Sequence, residues 1–69
     1  LANIVLLKNL NEISKMKQYY QSCLTEKIPP GGLFSAKTPS CVITAYKSGK
    51  VLFQGGGSEA EAGKWGKQQ

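Results

Sequence analysis

The chain has 69 residues, of which nine are lysine, none is arginine or histidine, and four are acidic, for a net charge of +5. A chain this short forms one domain with a single layer contact as its core, burying about 60% of its unfolded surface, which leaves no room for a catalytic domain with a deep cleft. The missing histidine excludes catalysis or metal binding through imidazole, and the basic balance fits either an acidic partner such as nucleic acid or plain solubility.

Residues 3–8, NIVLLK, form an apolar run of strand length. Alternation places Ile4 and Leu6 on one side and Asn3, Val5 and Leu7 on the other. Asn9 then stands as a helix N-cap with Glu12 at capping-box spacing. Leu10, Ile13, Met16, Tyr20 and Leu24 recur at helical steps with Cys23 beside them, which predicts an amphipathic helix of about four turns laid on a sheet. Lys15, Lys17 and Gln21 fall off that stripe and are expected to face solvent.

Residues 25–32, TEKIPPGG, read as a connector in which Pro29 and Pro30 stop the helix. Residues 33–37, LFSAK, alternate as a strand, with Phe34 and Ala36 toward the core and Leu33, Ser35 and Lys37 facing away. Thr38, Pro39 and Ser40 make a turn.

Residues 41–55, CVITAYKSGKVLFQG, read as a hairpin whose register decides what faces the core. A two-residue loop at Ser48 and Gly49 would set Lys47 opposite Lys50, and like charges across a ladder destabilise it. A loop of Lys47, Ser48 and Gly49, with Gly49 left-handed as a bulge, pairs Tyr46 with Lys50, Ala45 with Val51, Thr44 with Leu52 and Ile43 with Phe53. That register makes one face wholly apolar: Cys41, Ile43, Ala45, Val51 and Phe53. The other carries Val42, Thr44, Tyr46, Lys50, Leu52 and Gln54, half apolar and half polar.

Gly55, Gly56 and Gly57 lack the lysine and hydroxyl of a phosphate-binding loop, and Glu59 and Glu61 in the following first turn would repel an anion, so the run is expected to be a flexible connector. Ser58 and Glu61 have capping-box spacing for a short helix through Ala60, Ala62 and Trp65. Cys23 and Cys41 show no metal or redox spacing and are read as reduced core thiols. No signal-peptide pattern is seen, and the longest apolar run, residues 4–7, is far too short to cross a bilayer, so a cytoplasmic protein without a membrane role is expected.

The element order is therefore β-α-β-β-β-α: an α+β fold with helices on one face of an antiparallel four-stranded sheet. The other face carries Asn3, Ser35, Lys37, Thr44, Tyr46 and Gln54 among apolar neighbours. Apolar side chains there suit sugars, Asn and Gln suit base edges or 2′-hydroxyls, and Lys suits phosphate. An exposed patch of Val, Leu and Tyr equally marks a protein interface. The residues alone leave both readings open.

The segment CVITAYKSGKVLFQG, preceded by IPPGGLFSAKT and followed by SEAEAGKWG, closely resembles the N-terminal domain of bacterial ribonuclease HIII, and the likeness extends to NIVLLK and KMKQYY. More distantly, the YKSGK hairpin and the NIV opening look like one half of the TATA-box-binding protein. The resemblance implies a curved sheet that grips an RNA/DNA hybrid for a separate C-terminal ribonuclease H domain, which would hold acidic residues with Mg or Mn. It implies no cofactor and no catalytic residue in this stretch. By motif, Asn3 matches the strand-one asparagine, and Thr44, Tyr46, Leu52 and Gln54 match hairpin contact positions. Tyr46 stands where a phenylalanine wedge is usual, which implies a stacked or edge contact rather than kinking. Lys37, Lys47 and Lys50 are expected on phosphates. Residues 1–66 are expected to form this domain as a monomer, and residues 67–69 to start a linker. The alternative is an interaction module that docks on the catalytic domain or on a second copy.

Overall fold

The alternation and capping signals each produce an element at or near its expected place. The computed structural model describes residues 3–66, so the expected linker at 67–69 lies outside the described residues. Four strands, β1 (Asn3–Leu7), β2 (Gly32–Lys37), β3 (Val42–Tyr46) and β4 (Lys50–Gln54), pair antiparallel in the order β1-β4-β3-β2. Helices α1 (Leu10–Tyr19) and α2 (Ser58–Gly63) complete the order β-α-β-β-β-α. Ile13, Met16, Tyr20 and Ala62 join Ile4, Leu6, Phe34, Ala36, Ile43, Ala45, Val51 and Phe53 in one buried cluster, so both helices pack on the same sheet face.

The hairpin register follows the apolar alternation. Ile43 pairs with Phe53, Thr44 with Leu52 and Ala45 with Val51. Gly49 turns at φ +98°, its N–H donates to the Tyr46 carbonyl at 3.0 Å, and Lys8 N–H donates to the Gly49 carbonyl at 2.8 Å. The bulged bend therefore ties the hairpin tip to the end of β1. Asn9 caps α1 as expected, its side chain accepting from Glu12 N–H at 2.8 Å while the Glu12 side chain reaches back. Thr38 Oγ1 accepts from Cys41 N–H at 3.0 Å and organises the turn before β3.

Five expectations are corrected. The first helix ends at Tyr19, followed by a 3₁₀ turn, Gln21–Cys23, well before the prolines. Leu24 instead bridges Ala36, and Thr25 N–H donates to the Ser35 carbonyl at 2.8 Å. Pairing along the outer edge of β2 thus outcompetes continuation of the helix. In consequence Leu10 and Leu24 are exposed, and the core stripe narrows to Ile13, Met16 and Tyr20.

In β2 the register shifts between Gly32 and Phe34, and Leu33 packs on the core rather than facing away. The residue extra to the ladder escapes strict alternation. Gly55 is not part of a flexible connector. At φ +128° it lies against the turn before β3, where a Cβ would stand 2.7 Å from the Ser40 carbonyl oxygen, and Gly57 N–H donates to that same oxygen at 3.1 Å. Finally, Ser58 is not a cap: Gly57 holds the N-cap position with no side-chain bond, and Ser58 is buried within α2. Glu61 is drawn inward instead, accepting from the Tyr20 hydroxyl at 2.5 Å.

Candidate nucleic-acid interface

The registers set the uncovered sheet face as rows running across the strands. One row reads Asn3, Gln54, Val42, Lys37; the next reads Val5, Leu52, Thr44, Ser35. In the third, Leu7 lies beside Lys50, and the hairpin register continues to Tyr46 and then Gly32. Asn3, Lys37, Thr44, Tyr46, Lys50, Leu52 and Gln54 all come together on this face, and Lys47 stands at its end in the exposed hairpin tip. Tyr46 and Gln54 point to the same side because both are in phase with Thr44 and Leu52, while Ala45, Val51 and Phe53 are buried opposite.

The face is rough at one edge and closed at its centre. Val5 and Leu7 on β1 are 43% and 75% exposed, whereas Thr44 and Ser35 in the middle row retain 6% and 7%. These short side chains sit between rows of longer ones, so they form a floor. Among the described residues, none of the polar side chains on the face hydrogen-bonds or pairs with another protein group, and no side-chain oxygen or nitrogen is both sealed from solvent and unpartnered.

Charge is distributed unequally between the two sides. The four acids lie in α1, the connector and α2, and no strand carries one. On the helical side, Lys8 pairs with Glu12 at 3.4 Å and Lys64 with Glu61 at 3.2 Å. The Glu61 carboxylate holds the Lys64 ammonium above its ordinary pKa, with a further contribution from the Tyr19 hydroxyl. Lys37, Lys47 and Lys50 have no acidic partner among the described residues. Their charge is directed outward, as an anion-binding surface requires.

The helical side also contains a network that sequence reading missed. Tyr20 Oη donates to Glu61 and accepts from Trp65 Nε1 at 2.9 Å, and the Trp65 ring meets Tyr19 edge-on at a centroid distance of 5.2 Å. Lys8 Nζ donates to the Trp65 carbonyl. Trp65 is therefore packed. No local signal links Tyr20 to Glu61, which are brought together only by the packing of α2 beside the end of α1. Ser35 was assigned to the open face by alternation, but its neighbour Thr44 on β3 is visible only from the β2–β3 register.

The described residues do not fit a metal centre. No three His, Cys, Asp or Glu side chains cluster among them, and Glu12 and Glu61 are engaged by lysines. Cys23 and Cys41 are free thiols, Cys41 being buried. No helix among the described residues is long and apolar enough to cross a membrane.

Comparison with known proteins agrees with this fold. A family described as a domain of unknown function, DUF3378, matches residues 3–69. Ribonuclease HIII of Bacillus mycoides (strain KBAB4) is 59% identical over 63 residues, covering 91% of this chain and 20% of that protein. Ribonuclease HIII of Bacillus anthracis (strain A0248) matches to the same extent, 59% over 63 residues. The crystal structure of Bst-RNase HIII in complex with Mn2+ superposes with a TM-score of 0.85 at 44% identity, covering 93% of this chain and 21% of that one. The chain thus spans about a fifth of the length of these relatives.

Proposed function

From the premise that the chain belongs to the DUF3378 family and is similar to ribonuclease HIII over nearly all its length, we propose that it is a non-catalytic domain that binds an RNA/DNA hybrid and positions it for a ribonuclease H catalytic domain elsewhere in such proteins. The observation that carries this reading is the sidedness of the polar groups. The four acids all lie off the strands, in α1, the connector and α2, where Glu12 and Glu61 pair with Lys8 and Lys64, while Lys37, Lys47 and Lys50 at the sheet face have no acidic partner among the described residues.

Lys37, Lys47 and Lys50 neutralise backbone phosphates. Asn3, Gln54 and Thr44 line the minor groove, Leu52 packs on sugars, and Tyr46 stacks on or abuts a sugar or base. Mg or Mn and the cleavage chemistry belong to the catalytic domain, because the acids here are dispersed and two are paired. Titration of a labelled hybrid against salt tests the reading. With about three phosphates neutralised, log K falls with log salt at a slope of roughly −2 to −3. Lys50→Ala with Tyr46→Ala weakens binding at least tenfold at low salt, and unchanged affinity in that double variant rejects this face.

The exposed Val5 and Leu7 favour a second reading, docking of the face on a protein surface. It predicts association with little salt dependence and no hybrid shift.

A further inference from the structure

Lys8 joins parts of the molecule that lie on opposite sides of the sheet. It follows Leu7, so alternation turns its side chain toward the helices, and only 14% of that side chain is exposed. Its backbone N–H holds the Gly49 carbonyl at the tip of the β3–β4 hairpin, between Lys47 and Lys50. Its Nζ donates to the Trp65 carbonyl just past α2 and pairs with Glu12 at 3.4 Å. The helix α2 is a detachable element, because its six residues, Ser58–Gly63, are too few to hold a helix alone. It packs on β1 and β4. Its end is held by the hydrogen bonds of Tyr20 to Glu61 and Trp65, the edge-on contact of Tyr19 with Trp65, and Lys8. A Cβ on Gly66 would stand 3.1 Å from Lys8 Nζ, so the ammonium is seated closely against the chain there.

Resting on the hybrid-binding reading above, we propose that α2 with Trp65 is a latch that closes more tightly when the hairpin tip is loaded with nucleic acid, and that Lys8 is the positioning residue linking the two. Phosphates held by Lys47 and Lys50 fix the tip, and a fixed Gly49 carbonyl fixes the backbone of Lys8. Its ammonium is then held in place for the Trp65 carbonyl, so less freedom is lost when the latch closes, which is positive coupling without a change of shape. Such coupling is reciprocal: a closed latch strengthens hybrid binding by the same factor by which the hybrid favours closure. Trp65 lies among the helices behind the sheet, so its effect on binding does not come from contact with nucleic acid. The latch ends where Gly66 N–H donates to the Ala62 carbonyl at 3.2 Å, and closure fixes the direction of the chain at that point. A loaded domain therefore has a stiffer exit than an empty one.

The test uses this chain and an RNA/DNA hybrid at low salt. Trp65 is the sole tryptophan, so its emission reports the latch. The N–H groups of Glu61 and Lys64 are hydrogen-bonded within the latch, so their exchange with solvent reports its opening. Saturation with hybrid is expected to slow that exchange about fivefold, the low end of coupling between sites, and to reduce acrylamide quenching of Trp65. Trp65→Ala opens the latch and is expected to weaken hybrid binding by the same factor of roughly five. Lys8→Met breaks the link. It is expected to weaken binding to a similar extent, to make the exchange insensitive to hybrid, and to remove any further effect of Trp65→Ala in the double variant. Lys15→Met makes the same charge change at an exposed position on α1 and leaves the exchange response intact. If hybrid leaves both exchange and quenching in the wild type unchanged, or if Lys8→Met and Trp65→Ala weaken binding independently, the latch assignment is overturned while hybrid binding stands. Absence of binding to hybrid overturns both. The wild-type comparison decides the matter even where a variant fails to fold.

Discussion

Tyr20 ends the buried stripe of α1 with its hydroxyl between Glu61 and Trp65. Burial first, and then the hydrogen bond to Glu61, push its phenol above the ordinary value of 10.0. A group whose folded pKa is raised contributes stability that is full below the unfolded pKa and is lost as pH rises through the folded one. Wild-type stability is therefore expected to hold up to about pH 10 and to decline above it, and Lys64, raised by the same carboxylate, acts in the same direction. Tyr20→Phe leaves Glu61 and the Trp65 Nε1 each short of a partner and should cost about 1–3 kcal/mol at neutral pH. Urea midpoints measured from pH 8 to 11 should show that cost together with a shallower alkaline decline. A Phe variant as stable as wild type would remove Tyr20 from this role. None of this was legible in the sequence, where Tyr20 counted only as an apolar position at helical spacing and Glu61 as a capping residue. The 41 positions separating them are closed only by packing.

Among the elements, the β3–β4 hairpin was the most legible, because repulsion between Lys47 and Lys50 and the need for one apolar face select the same register. Gly49 is where that register is set. Its φ of +98° disfavours any side chain, and a Cβ there would approach the Lys8 carbonyl oxygen to 2.9 Å. Gly49→Ala is accordingly expected to destabilise the domain by roughly 1–3 kcal/mol, read as a lowered urea midpoint with an unchanged slope. An alanine variant of wild-type stability would show that the bend is not strained. The helices were less legible than the hairpin. Helical spacing in the sequence continues to Leu24, but the outer edge of β2 competes for residues 24 and 25 through the Ala36 bridge and the Ser35 carbonyl. Periodicity cannot register a competitor that is distant in sequence.

For the molecule as a whole, net charge matters less than its placement. Lys17→Ala and Lys50→Ala each lower the net charge by one, yet Lys17 lies exposed on α1, behind the sheet, and Lys50 lies on the open face. Removing Lys50 should reduce the salt slope of hybrid binding by about 1, whereas removing Lys17 should leave the slope unchanged and alter affinity only through the screened long-range field. Equal slopes in the two variants would mean that binding follows total charge rather than this face. The sequence by itself determined the strands, the hairpin register, the Asn9 cap and the division of side chains between two sheet faces, because alternation, turn chemistry and capping act over a few residues. It also placed every candidate contact on or at the end of one face, because a strand's phase carries each of its residues with it. Only the tertiary structure decided where α1 stops, that Leu33 turns inward, that the glycines after β4 are pinned against Ser40, and that Tyr20 meets Glu61 and Trp65. Each of those outcomes depends on a partner that chain folding, rather than sequence proximity, brings within reach.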